Sequence, residues 1–212
     1  MTVFSLYSYA QRKATNGNGS VSQTPPTGED KLFGGHSDLS NELRRLLVSP
    51  SGLNLFCNYL IHEFSIENML FLIETQQWLD VLKQLPENKD ENALKKYLPQ
   101  SDIVFANPNE DMITKARLLF AKYVSNSAQF VINISYGERE ELNKKFGHNF
   151  PSFFSQQTPQ ELNASLIAIF NGARVSTYAL LRSSFGRFTV TAAYKEWAEA
   201  QKNNGIQIVN GT

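Results

Sequence analysis

Residues 63–73 read EFSIENMLFLI: two carboxylates, a hydroxyl and a carboxamide set directly ahead of an apolar run. The apolar part begins a helix running from about Ile66 to Leu85, greasy on every side at first and ended by Pro86. That pattern belongs to a helix buried in the middle of a bundle. The polar part is either a helix start and nothing more, or a contact surface held stiff by the core beneath it. Ser65 suits an N-cap, its hydroxyl able to take an orphan backbone N–H. Glu67 suits the positive end of the helix dipole. Asn68 falls where Glu or Gln would complete a capping box, and asparagine is a poor helix former. A start signal therefore accounts for Ser65 and Glu67 and leaves Glu63 and Asn68 unexplained.

Working outward from this helix, the chain stays helical. Leu39, Leu43, Leu46 and Leu47 recur at helix spacing until Pro50, and Leu53, Phe56, Cys57 and Leu60 make the next stripe. "ENALKKYL" predicts a short helix closed by Pro99, and Ala116, Leu119, Phe120, Tyr123 and Val124 a longer one between Asp111 and Ser125. "TPQE" at 158–161 is a well-formed start, with Thr158 as cap, Pro159 in the first turn and Glu161 folding back. Ala173 to Ser183 and Ala192 to Ala200 read as the last two helices. No sustained alternation calls for a sheet. The expected fold is all-α, a bundle of about nine helices. Residues 1–30 are expected as a flexible N-terminal extension, rich in Gly, Asn, Ser, Thr and Pro, 31–204 as the helical domain and 205–212 as a tail.

Twenty basic and twenty acidic residues cancel, so no global field draws the chain to nucleic acid or anionic lipid. One cysteine, Cys57, excludes an internal disulfide and a Cys-rich metal site; on its apolar stripe it reads as a buried structural thiol. The start "MTVFSLYSYAQRK" lacks a secretory signal's long apolar core, and no later run is expected to span a bilayer. The expected setting is cytoplasmic. There is no glycine-rich phosphate loop, HExxH or nucleophile elbow. The three histidines, His36, His62 and His148, lie in different segments with no acidic or thiol partner at ligand spacing. No catalytic residue, metal site or cofactor is assigned, and an enzyme with its own active site is not expected.

Two further polar positions are out of place. In "FVINIS", 130–135, Asn133 interrupts an apolar run. A buried carboxamide costs about 1–3 kcal/mol if unpaired, so Asn133 either caps a turn or faces outward from a loop pinned by its neighbours. In "SSFGRF", 183–188, Phe185 and Phe188 can anchor a chain reversal, with Gly186 permitting the turn. Arg187 then points outward or pairs internally with a carboxylate, the internal pair being the simpler reading.

These segments, in this order and spacing, resemble the regulator of G-protein signalling family over roughly residues 37–200. "LFCNYLIHEFSIENMLFLIE" carries the acidic-aromatic-Ser-x-Glu-Asn corner. "KARLLFAKYVSNSAQFVINIS" is similar to the middle helix and loop Asn, with Arg139 downstream, and "FNGAR…LLRSSFGRF" to the penultimate helix and closing turn. The resemblance implies a monomeric nine-helix domain that accelerates GTP hydrolysis by a heterotrimeric Gα subunit through contacts with its switch regions. Carried over by motif, the Gα-binding residues are Glu63, Ser65, Glu67, Asn68, Asn133 and Arg187, with Ser183 and, more loosely, Leu180. The chain departs from the family at Leu72, where Trp is frequent, and at Val131 and Ser183, where acids are common. Those last two keep open a scaffold that binds a protein without accelerating GTP hydrolysis. Peripheral recruitment to the inner face of the plasma membrane through Val3, Phe4, Leu6 and Tyr7 is a third expectation.

Overall fold

The middle helix forms as expected: Ile66–Leu82 is continuous, and every residue from Phe71 to Leu79 is buried. The computed structural model describes residues 38–83, 100–147, 154–155 and 157–209. The expectations for 1–30, for Pro86 and "ENALKKYL", and for most of the 147–157 loop lie outside those residues.

In chain order the described helices are α1 (Asp38–Val48), α2 (Pro50–His62), α3 (Ile66–Leu82), α4 (Asp102–Phe105), α5 (Met112–Tyr123), α6 (Tyr136–Phe146), α7 (Pro159–Ala168), α8 (Asn171–Phe188) and α9 (Ala192–Val209). The domain is all-α, with no strand among the described residues. Local signals set most of the starts. Ser49 caps α2 ahead of Pro50, Asp111 takes the N–H groups of Ile113 and Thr114, and capping boxes at Ser135–Glu138 and Thr158–Glu161 open α6 and α7.

Helix α3 is the axle of the bundle. At its far end the Trp78 indole N–H donates to the Met112 carbonyl at 3.3 Å, where α5 begins. At its near end Phe71 meets Tyr123, the last residue of α5, with ring centroids 5.4 Å apart. The two helices are therefore antiparallel. Helix α8 is antiparallel to α3 as well: Arg174, in its first turn, donates to Gln76, while Arg187, in its last, reaches back to Glu63 just before α3. Helices α2, α8 and α9 share a cluster of rings, Phe56, Tyr59, Phe185, Phe188 and Tyr194, with centroids 5.1–5.8 Å apart across the helices. Each such ring pair adds about 0.5–1.5 kcal/mol beyond its buried area.

One expectation fails at the end of α8. The chain does not reverse at Phe185–Phe188; the helix runs through Gly186 and Arg187 to Phe188. Phe185 and Phe188 are both fully buried on one helix face, and that burial outweighs the roughly 1 kcal/mol cost of an interior glycine. The reversal comes at Thr189–Thr191, whose hydroxyls donate to the carbonyls of Gly186 and Phe188 at 2.8 and 2.7 Å. Helix α9 continues to Val209, well past Ala200. The run Pro159–Phe188 is, by length and composition alone, apolar enough to cross a membrane, contrary to expectation. Here it is two helices interrupted at Ile169–Phe170, with Leu166, Phe170, Leu181 and Phe185 in the core. Cys57 is half-buried rather than buried, and desolvation pushes its thiol up to about 11, so it stays protonated at neutral pH.

Candidate functional site

Only Glu63, Phe64 and Ser65 separate α2 from α3. The Phe64 N–H donates to the Ile61 carbonyl at 3.1 Å and the Ser65 N–H to the Leu60 carbonyl at 2.9 Å. These are the paired bonds of a Schellman ending, which needs a left-handed residue after the helix cap. Phe64 fills that position with φ 53°, where glycine is usual and a bulky side chain costs about 1 kcal/mol. Its ring is 91% exposed. A strained, solvent-facing aromatic is thus fixed at the tip of the corner.

The same backbone pattern overturns the expected role of Ser65. It stands before α3, but its hydroxyl makes no cap bond. Its N–H is held by the α2 ending, which leaves the residue at φ −137°, ψ 17° instead of the extended backbone that aims an N-cap hydroxyl at the next amides. Only its carbonyl serves α3, accepting from the Asn68 N–H at 3.3 Å. Asn68 is 5% exposed, and its amide donates to Glu67 at 3.4 Å. Neither the Ser65 hydroxyl nor the Asn68 carbonyl oxygen has a hydrogen-bond partner among the described residues. Glu67 is half-buried, and desolvation holds its carboxyl above the usual range.

Glu63 and Arg187 meet directly. Arg187 Nε and Nη2 donate to the two Glu63 oxygens at 2.7 and 3.0 Å, and the Tyr59 hydroxyl donates to Oε1 at 2.7 Å. Arg187 also donates to Ser183 and Ser184 at 3.2 and 3.1 Å. Arg187 above all, then the Tyr59 and Ser184 hydroxyls, draw the Glu63 carboxyl down to about 2, against a smaller opposing effect of burial. The internal pair is therefore the arrangement adopted, although Arg187 remains exposed. Ser183 lies one turn before Arg187 on the exposed face, and Ala179 one turn earlier again; Leu180 is half-buried beside that stripe.

Asn133 faces outward from a loop pinned by its neighbours. Along 131–134 exposure alternates: Val131 and Asn133 out, Ile132 and Ile134 in. The Ile134 N–H donates to the Ile132 carbonyl at 3.2 Å, closing a three-residue turn with Asn133 at its tip. The Ile132 N–H donates to the Tyr123 carbonyl at 3.0 Å, which seats this turn against the end of α5. The α2–α3 corner, the Asn133 turn and the last turn of α8 thus lie at the same end of the bundle, where α3 begins and both α5 and α8 end. Glu63, Ser183 and Arg187 are in contact, as are Glu67 and Asn68; Asn133 joins them through the backbone of α5. Sequence reasoning missed Phe64. It occupies the left-handed position because α2 ends in a Schellman pattern and the three-residue link holds no glycine to fill it.

The sequence profile of the "Regulator of G protein signaling domain" matches residues 42–197, which holds all of this end of the bundle. The chain belongs to the regulator of G-protein signalling family. Human "Regulator of G-protein signaling 20" is 24% identical over 164 residues, covering 77% of this chain and 32% of that protein. The Gallus gallus protein of the same name is 24% identical and covered over 56% of its length. Xenopus tropicalis "Regulator of G-protein signaling 1" is 23% identical over 166 residues, 78% of this chain and 62% of that protein. The chain therefore spans about a third to three-fifths of the length of these curated relatives. Domains of this family regulate G-protein signalling in general, and the general partner of such a domain is a Gα subunit.

Proposed function

We propose that this chain is a GTPase-activating protein for a heterotrimeric Gα subunit, working in the cytoplasm as a monomer and meeting Gα at the inner face of the plasma membrane. Gα already carries its catalytic Arg and the Gln that orients the attacking water, yet turns over GTP at only about 10⁻² s⁻¹. A partner accelerates that reaction by binding the switch loops best in their transition-state arrangement. A hundredfold gain needs only about 2.7 kcal/mol of differential binding. The role of the RGS chain is then to supply a stiff hydrogen-bonding pad, with no reacting group of its own.

The observation that carries this reading is the meeting of the three segments at one end of the bundle, with Asn133 exposed at the tip of a closed turn. A carboxamide donates and accepts at once, so it can hold the Gα Gln and a switch hydroxyl together. The corner's part is supported by the exposed Phe64 at its tip and by Glu63, which meets Arg187 there.

Single-turnover GTP hydrolysis by a panel of Gα subunits tests the proposal. The chain accelerates at least one of them and binds its aluminium fluoride state preferentially. Asn133→Ala cuts the acceleration about tenfold or more, the worth of one well-made hydrogen bond at a transition state, with an unchanged melting temperature because the side chain is exposed. Full acceleration by that variant would remove the mechanism. The second reading, a scaffold that binds without accelerating, draws on Val131 and Ser183, both exposed and both uncharged. Stable complexes with every Gα tested and no faster turnover would favour it.

A further inference from the structure

Arg139 stands six residues beyond Asn133, in the first turn of α6, and its side chain turns back toward the loop instead of toward solvent. Nη2 donates to the Ile132 carbonyl at 2.8 Å, and Nη1 donates to the Val124 carbonyl. The first carbonyl is the one that closes the Asn133 turn by accepting from Ile134; the second belongs to the residue directly after α5. One planar guanidinium therefore spans both ends of the 124–132 loop. A planar forked cation suits this reach, because it offers several donors at fixed separation. Arg139 is also anchored behind. Its N–H donates to the Ser135 carbonyl at 3.0 Å. Glu138 beside it accepts from the Ser135 N–H and hydroxyl with one oxygen, and from the Ser176 hydroxyl on α8 at 2.6 Å with the other.

The geometry points to Arg139 as a positioning residue for Asn133: its guanidinium, fastening the Ile132 and Val124 carbonyls, sets the aim of the carboxamide that α5 and α6 present to Gα. It touches no partner itself and acts only through the turn. The Glu138–Ser176 bond extends the clamp to the helix that carries Ser183 and Arg187, so the two halves of the pad are fixed relative to each other. The activity readout of this inference rests on the Gα proposal; its structural readout does not.

The test uses the full chain, with Arg139→Lys, which keeps the charge but loses the fork, and Arg139→Gln as a second variant. Amide hydrogen exchange at Ile134 reports the turn directly. Its protection falls about tenfold in Arg139→Lys while amides in the centre of α3 keep theirs. Single-turnover hydrolysis then places the effect. Arg139→Lys lowers the acceleration about tenfold, and the double variant with Asn133→Ala is no slower than Asn133→Ala alone, because both remove one interaction. A merely structural residue gives losses that add, together with a lower melting temperature. Unchanged Ile134 exchange in both Arg139 variants overturns the inference, and so do additive losses. If the unaltered chain accelerates no Gα, the proposed function falls, and the exchange at Ile134 still decides whether Arg139 holds the turn.

Discussion

The ion pair between Glu63 and Arg187 makes an acid-stability prediction that can be worked through. Its two hydrogen bonds, at 2.7 and 3.0 Å, join residues 124 apart in sequence. The Glu63 carboxyl is lowered from 4.5 to about 2; taken at face value that shift is about 3 kcal/mol at 1.36 kcal/mol per unit. The Arg187 side chain, however, is 56% exposed, so solvent and salt screen the pair, and about 1 kcal/mol is the appropriate scale. A lowered carboxyl pKa means that the unfolded chain binds the proton more readily than the folded one. The stabilisation is therefore complete above pH 4.5 and is lost as pH falls toward 2. Urea unfolding at pH 7, with Glu63→Gln against the parent, should show the variant weaker by about 1 kcal/mol. The gap should close as pH is lowered through that window. Arg187→Gln should behave alike, and the double variant should cost no more than either single one. Other carboxylates titrate in the same range, so the difference between chains is what counts. Parallel stability curves for parent and Glu63→Gln from pH 7 to pH 2.5 would refute the reasoning.

Two other substitutions set structure against contact. Phe64→Asn should raise stability by about 0.5–1 kcal/mol, because asparagine tolerates the left-handed backbone at φ 53° without the steric cost of an aromatic residue; it should also weaken Gα binding by removing the exposed ring, and a thermal melt with a titration shows both signs. Gly52→Ala should destabilise by about 1–3 kcal/mol despite alanine's better helix propensity. The new methyl would stand 2.8 Å from the Leu46 carbonyl oxygen and 2.9 Å from the Trp197 ring, and the first is backbone that cannot turn aside. A variant as stable as its parent in urea would show that α1 and α2 can separate more easily than this packing implies.

How far the sequence could be read depended on the kind of signal. Thr158, Pro159 and Glu161 announced α7 because a capping box is written in adjacent residues. Ser135 and Glu138 make the same box at α6, but that helix was harder to see, since Leu142 and Phe146 are the only side chains it buries and no stripe shows in "YGEREELNKKF". At the end of α8 Gly186 resembles a stop signal, while the pull on Phe185 and Phe188 comes from Phe56 and Tyr59 on a helix far earlier in the chain and from Tyr194 on the helix that follows. Ser65 misleads for the opposite reason: two helix ends claim one residue, and the Schellman bonds of α2 leave its hydroxyl unable to cap α3. The Arg187–Glu63 pair was legible as a possibility in the charges alone, but choosing it needed the antiparallel packing of α3 and α8.

That packing also explains why so many polar side chains are buried along α3. An apolar stripe alone lets neighbouring helices slide by a residue at little cost, whereas the directional bonds around α3 do not. Lys122 reaches Glu74 at 2.6 Å and fixes α5 along the axle; Glu74 accepts from the Ser101 hydroxyl at 3.1 Å, and Gln77 from the Ser101 N–H at 2.9 Å. Gln76 takes Arg174 of α8 at 3.1 Å. Their net contribution to stability is small once desolvation is subtracted. Their effect is on register, because a one-residue shift of α5 would break the Lys122–Glu74 pair and a one-residue shift of α8 the Arg174–Gln76 bond. Register is what the pad requires, since the Asn133 turn hangs from the end of α5 and Arg187 from the end of α8. A displacement of one helical rise, about 1.5 Å, would part Arg187 from Glu63 and move Asn133 away from a partner's hydrogen-bonding distance. Polar groups in the middle of the bundle thus set the aim of polar groups at its end.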